Sequence, residues 1–320
     1  MSETNQLSFG LPLEEGQIES THDNTLGLGI TESTADNSEN IKGLSDDERK
    51  DPNQIQVTIA DRNVPLVILF GPPNCGKTMT LVRLVRYLNK IGYNISPVRT
   101  FRPNYDQNYN EICKSENFNR LINSPDAANS TSNISFMLVG IYKKGKCLCQ
   151  ILEAPGEHYF LKKEPDKNFP AYIHTIIATN NRKLWAIMTE PDWENTEDRI
   201  NYVQRINSLT QRMGSSDKTL FIYNKIDKTQ LVFKKGQVNV SQAITDVSNL
   251  YPGIFENFKN ENPITKLWKT YNCSFIPFQT GTYTETTKQD RFGNSIWSYQ
   301  EGPDNYPQML WNEIQKSITG

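Results

Sequence analysis

The sequence predicts a three-layer α/β fold: a mostly parallel sheet with one antiparallel edge hairpin and helices packed around it. Three observations carry this expectation. Short apolar runs stop at glycine or polar turn residues, as strands buried on both faces do. Helical periodicity fills the intervals between those runs, the alternation that parallel α/β sheets require. One pair of runs is joined by Lys143-Lys144-Gly145-Lys146, a connection of hairpin length.

Taken in order, residues 55–60 alternate apolar and polar side chains and are expected to form an entry strand. Residues 64–70 are apolar throughout and end at Gly71, as a central strand should. Residues 78–88 then place Leu81, Leu84, Val85 and Leu88 on one helical face. The hairpin strands are expected at 134–142 and 147–152, and further strands at 184–188, 220–223 and 274–278. Helical stretches occupy 170–180, 195–213, 241–260 and 306–318. The segment 94–133 is polar, irregular and longer than an ordinary connection, which marks a functional loop. Residues 282–305 form an insertion before the last helix, polar but dotted with Tyr283, Phe292, Trp297 and Tyr299. It either meets a partner or covers the sheet edge.

The chain of 320 residues is 36% hydrophobic, with a mean hydropathy of −0.61, so part of it is expected to remain unfolded. Charge is unevenly placed. Residues 1–55 hold twelve of the 36 acids and three of the 34 basic residues, so a net −9 there is followed by +7 over the remainder. Residues 1–54 read as a disordered acidic arm, and 55–320 as the folded domain. The overall balance gives no reason to expect a nucleic-acid partner. The longest apolar runs, 66–70 and 184–188, fall far short of the ~18 residues of a membrane span, so no integral membrane segment is expected. Residues 1–30 lack the pattern of a signal peptide, and the five cysteines form no CxxC pair. A soluble, reduced, cytoplasmic protein is the expectation.

The chemistry begins at Gly71-Pro72-Pro73-Asn74-Cys75-Gly76-Lys77-Thr78, which fits G-x-x-x-x-G-K-[ST] between a buried strand and an amphipathic helix. Glycines let backbone N–H groups wrap phosphates, and the helix N-terminus adds its positive dipole end. Lys77 would reach the β- and γ-phosphates, and the Thr78 hydroxyl would ligate magnesium. Next, the strand at 147–152 runs into Glu153-Ala154-Pro155-Gly156. An acid at a strand end can hold a magnesium-bound water, and Gly156 can offer its N–H to a γ-phosphate. Residues 220–223 then run into Asn224-Lys225-Ile226-Asp227. Guanine presents two adjacent donors, and the Asp227 carboxylate accepts from both, whereas adenine has no such pair. Asn224 would brace the loop, and the Lys225 stem would cover the ring.

These three motifs, each on its own strand end, resemble a Ras-like P-loop GTPase of the TRAFAC class. The resemblance covers about residues 56–281 and the last helix. It implies a guanine-nucleotide switch that binds GTP or GDP with Mg2+ and hydrolyses GTP slowly, with a protein effector or activator as partner. By that resemblance Gln279-Thr280-Gly281 is the loop whose backbone contacts the guanine oxygen. The sequence also departs from the family. Its usual Asp is Glu153 here, and its usual water-positioning Gln is Glu157, a charge that would repel the γ-phosphate. His158 is the alternative water-orienting group. The switch-one Thr that closes over magnesium is either Thr100 or Thr131, with Thr131 preferred by position. Arg99 and Arg102 are candidate internal charge-stabilising residues. Asn74 resembles relatives in which K+ sits beside the phosphates. Two other readings stand beside the switch: a GTP-binding scaffold or assembly subunit with little turnover, and a P-loop kinase whose acceptor arginines lie in 96–103. A hydrolysis rate separates switch from scaffold, and a phosphorylated acceptor separates out the kinase.

Overall fold

The computed structural model describes residues 43–123, 136–193, 195–262, 270–289 and 295–319. Its helices are α1 (Asp46–Lys50), α2 (Lys77–Lys90), α3 (Gln107–Ile112), α4 (Ser115–Asn123), α5 (Ala171–Ala178), α6 (Thr196–Thr210), α7 (Val240–Leu250) and α8 (Asn305–Thr319). Its strands are β1 (Leu66–Phe70), β2 (Asn94–Pro97), β3 (Met137–Lys143), β4 (Lys146–Glu153), β5 (Lys183–Thr189), β6 (Lys218–Tyr223), β7 (Val232–Lys234), β8 (Gln237–Val238), β9 (Ser274–Pro277), β10 (Gly281–Gln289) and β11 (Ser295–Glu301).

No side chain of β1 is polar, and the strand is buried along its whole length in the middle of the sheet. Val67 lies opposite Ile151 of β4 on one side and Leu184 of β5 on the other, both in parallel register. The full order is β2-β3-β4-β1-β5-β6-β9. From β4 to β9 the strands are parallel, while β3 runs antiparallel to both β4 and β2. That is the expected mostly parallel sheet with its antiparallel edge hairpin, extended by one further edge strand, β2. Phe70, Glu153 and Tyr223 therefore end their strands at the same end of the sheet, where doubly wound folds bind ligands.

Helix α2 buries Leu81, Val82, Leu84, Val85 and Leu88, and packs against α4 and α8. Elsewhere Phe70 meets Tyr159 at 4.8 Å between ring centroids and stacks on Tyr202 of α6 at 6.2 Å. Arg205 lies over the Phe169 ring at 3.6 Å and donates from Nε to the Tyr159 carbonyl at 2.7 Å.

Four expectations change. Residues 55–60 form no strand: Thr58 N–H donates to the Phe101 carbonyl at 2.8 Å, but no ladder follows. The helix expected over 241–260 stops at Leu250, because Pro252 cannot continue it and Gly253 turns the chain at φ +85°. The segment 94–133 is largely regular. It carries β2, α3 and α4, and Phe118, Leu121 and Ile122 of α4 are buried; residues 124–135 lie outside the described residues.

The fourth change concerns the acidic arm expected over 1–54, whose residues 43–54 are folded. Ser45 and Glu48 close a reciprocal capping box on α1, and Leu44 is 1% exposed. Glu48 pairs with Arg102, which also binds Asp106 at 2.7 Å and the Gln56 carbonyl at 2.9 Å. Residues 1–42 lie outside the described residues.

The insertion at 282–305 contains an antiparallel hairpin, β10–β11, that begins at Gly281. It is tied to α2 through Arg83, whose fully buried guanidinium meets Glu301 at 3.1 Å and donates to the Gly302 carbonyl at 2.8 Å.

Candidate nucleotide site

The loop between β1 and α2 closes on itself. Lys77 is buried and donates to the carbonyls of Gly71 at 3.0 Å and Pro72 at 2.9 Å. Asn74 is exposed in a left-handed conformation at φ 63°, and Cys75 is fully buried, which pushes its thiol up to about 11. Gly76, at φ +90°, precedes the first turn of α2. A Cβ there would stand 2.2 Å from Asn224 Nδ2, so only glycine admits that side chain.

Thr78 donates to Glu153 Oε1 at 2.6 Å. Glu153 is 1% exposed, and among the described residues its second oxygen has no hydrogen-bond partner. Burial raises the carboxyl to about 7, while Lys77 and the Thr78 hydroxyl pull it down. A hydroxyl and a carboxylate with one free buried oxygen fit a hard divalent cation, which completes its shell with phosphate and water. Among the described residues no group of three or more His, Cys, Asp or Glu is placed to hold a metal ion.

Beyond Glu153 the chain turns tightly. A Cβ on Gly156 would sit 2.2 Å from the Pro73 nitrogen, so its backbone lies directly against the phosphate loop. Glu157 is exposed at the cavity wall. His158 is buried, and its Nδ1 is 2.9 Å from the Tyr172 hydroxyl of α5. Burial first, then Lys77, lowers the imidazole to about 4, so it is neutral and a weak base.

The other end of the cavity is built by β6 and β9. Asn224 is buried and donates from Nδ2 to the Cys75 carbonyl at 2.9 Å, while its own N–H donates to the Thr189 carbonyl at 2.8 Å. Lys225 takes a left-handed φ of 55° and pairs with Glu190. Asp227 is exposed at the cavity edge, and partial desolvation raises its carboxyl against the pull of its own backbone N–H and Lys228. Thr280 is buried, and its carbonyl accepts from Tyr299 at 2.9 Å and from the Gly302 N–H at 3.2 Å.

The motif residues Gly76, Lys77, Thr78, Glu153, Gly156, Asn224, Lys225, Asp227 and Thr280 thus line one cavity of about 700 Å³, together with Asn74, Glu157 and His158. That volume is in the ligand-sized range. Gly71 and Cys75 sit behind it in the loop, and Thr131 lies outside the described residues. Thr100 is exposed. Of the two candidate arginines, Arg99 is exposed and Arg102 is locked by its carboxylates. Five lining residues were not foreseen: Leu44, Arg49, Met79, Lys228 and Tyr283. Tyr283 sits 3.2 Å from the Thr280 hydroxyl, a contact that only the hairpin creates. The sequence signal for Leu44 and Arg49 was Ser45-x-x-Glu48, the capping box hidden in acidic composition.

The fold and the loop define a P-loop domain of Ras-like architecture. The chain matches no protein-family model and no curated protein. Among solved structures it is similar to a nucleolar GTP-binding protein 1 of Plasmodium falciparum, at 14% identity and a TM-score of 0.37 over 82% of this chain and 90% of that one. It is also similar to the Roco protein RocCORdC of Methanosarcina barkeri bound to GDP, at 14% identity and a TM-score of 0.31. There 82% of this chain covers 51% of the other, so it spans about half that protein's length. No helix among the described residues is long and apolar enough to cross a membrane.

Proposed function

We propose that the chain is a guanine-nucleotide-binding switch that takes GTP or GDP with magnesium and hydrolyses GTP slowly. The observation that carries the reading is the Asn224–Cys75 bond. It joins the base-reading loop to the phosphate loop, so one cavity offers an amide-lined turn at one end and the Asp227 carboxylate at the other. Lys77 would exchange the carbonyls of Gly71 and Pro72 for phosphate oxygens. Thr78 and Glu153 would hold magnesium, whose charge neutralises the phosphates. Asp227 would accept from the ring N–H and exocyclic amine of guanine, and the Lys225 stem would cover the base. Asn74, exposed beside this loop, is the candidate oxygen ligand for a potassium ion.

The second reading, a GTP-binding scaffold with little turnover, draws on the water-positioning end. Glu157 is an anion where the γ-phosphate would lie, and His158 is a weak base already bonded to Tyr172. The kinase reading keeps only Arg99 of its two candidate acceptor arginines, because Arg102 is held by Glu48 and Asp106.

The test is a titration of nucleotide-stripped protein with fluorescent GTP and magnesium in potassium buffer, competed by GDP and ATP. Displacement by GDP but not ATP supports the guanine reading, and equal displacement by ATP sinks it. Single-turnover hydrolysis then separates switch from scaffold. A cytoplasmic setting and a protein effector or activator complete the proposal.

A further inference from the structure

We infer that Arg49 is a γ-phosphate-binding residue, brought to the nucleotide cavity by the folded part of the N-terminal segment. The inference rests on the reading that the cavity holds a nucleoside triphosphate. Arg49 and Leu44 line the cavity. Their segment is docked at its Glu153 end: Gly43 lies against the Phe136 carbonyl, and Met137, the next residue, stands opposite Glu153 in the β3–β4 ladder.

Charge explains why a second cation belongs there. The cavity is lined by Arg49, Lys77, Lys225 and Lys228 against Glu153, Glu157 and Asp227. Lys225 and Lys228 stand at the base end and pair with Glu190 and Asp192. The phosphate end is then Lys77 alone against Glu153 and Glu157, an anionic site for an anionic ligand. Arg49 adds a second cation there once it gives up Asp46.

Arg49 is free to make the exchange. Its Nη1 pairs with Asp46 at 3.1 Å, and the Asp46 side chain is 82% exposed, so water can replace that partner readily. Glu190 and Asp192 are far less exposed, at 9% and 33%. Arg49 Nη2 donates to the Leu44 carbonyl at 3.0 Å, which leaves further donors of the guanidinium fork for phosphate. The backbone beneath it is held. Leu44 is buried, Ser45 and Glu48 close the capping box, Glu48 pairs with Arg102, and Asn53 accepts from the Ala171 N–H at 3.2 Å. The guanidinium thus sits on a fixed base with one partner that water can replace, the arrangement a ligand-triggered contact needs.

The test uses the full chain carrying Arg49→Gln, with affinities for GTPγS and GDP measured in magnesium. A lost charge-assisted bond predicts a fall of about tenfold or more in GTPγS affinity, with GDP affinity unchanged. The same variant should fail to form the GDP–aluminium fluoride complex that mimics the transferring phosphoryl group. Asp46→Ala, which releases the guanidinium, should keep or raise the preference for triphosphate over diphosphate. An unchanged ratio in Arg49→Gln overturns the inference, as does equal loss of both nucleotides, the mark of a merely structural role. If the wild type binds ATP as well as GTP, the guanine reading fails but Arg49 is judged by the same ratio with adenine nucleotides. A wild type that binds no nucleotide overturns both.

Discussion

Replacing Asn224 by alanine tests the joint between the two ends of the cavity. Its side chain is 1% exposed and provides the donor for the Cys75 carbonyl at 2.9 Å, inside the phosphate loop. Alanine leaves that carbonyl without its donor, at a cost of about 1–3 kcal/mol. For a domain of this size each kcal/mol lowers Tm by roughly 2–4 °C, so thermal denaturation of nucleotide-free protein should fall by about 2–12 °C. Stability alone would not distinguish a joint from an ordinary core contact, so binding is the sharper assay. Pyrophosphate reads the phosphate loop and guanosine reads the base loop, while GDP needs both at a fixed distance. The variant should lose more affinity for GDP than for either fragment. A loss confined to pyrophosphate, or a Tm within about 1 °C of wild type, would refute the reasoning.

Three further outcomes follow from the same geometry. Asp227→Asn should lose guanine nucleotides and gain xanthine nucleotides, since xanthine carries an acceptor where guanine has its amine; competition with XTP and GTP checks it. Burial raises the Glu153 carboxyl from 4.5 to about 7, so the folded apoprotein holds a proton that the unfolded chain releases. The stability this contributes is complete below 4.5 and is lost as pH rises through 7; Glu153→Gln should flatten that part of a Tm-against-pH profile. Arg102→Ala leaves Glu48 and Asp106, 13% and 8% exposed, without their cation. Breaking such a pair costs on the order of 3–5 kcal/mol, and limited proteolysis should then cleave near residues 43–54.

The parts readable from sequence were those where one local rule decides the outcome. A five-residue apolar run such as 66–70, bounded by Pro65 and Gly71, is too short for a helix and fits a central strand, and a glycine-rich turn between strand and helix leaves little choice of geometry. Errors arose where a pattern has two physical solutions. The alternation at 55–60 suits a strand, but no neighbouring strand offers it a ladder, so it runs as an extended segment touching Phe101. Composition averaged over the first 54 residues concealed Leu44 and the capping box, because a few buried contacts can fix a short acidic helix. Arg102 read as a candidate charge-stabilising residue, since Glu48, 54 residues away, joins Asp106 on it only in the folded chain. Tyr283 and Arg49 reach the cavity through tertiary packing, which no spacing rule encodes.

The two prolines against which Gly156 packs bear on how tightly a nucleotide can be held. Pro72 and Pro73 fix two φ angles and carry no N–H, so the amides available to phosphate in this turn begin at Asn74. A more flexible loop would lose conformational freedom on meeting its ligand, at ~1–2 kcal/mol per residue ordered. Here much of that freedom is already gone when the chain folds. The turn gives up donors and in exchange arrives preorganised, so that more of each remaining amide contact is expressed as affinity.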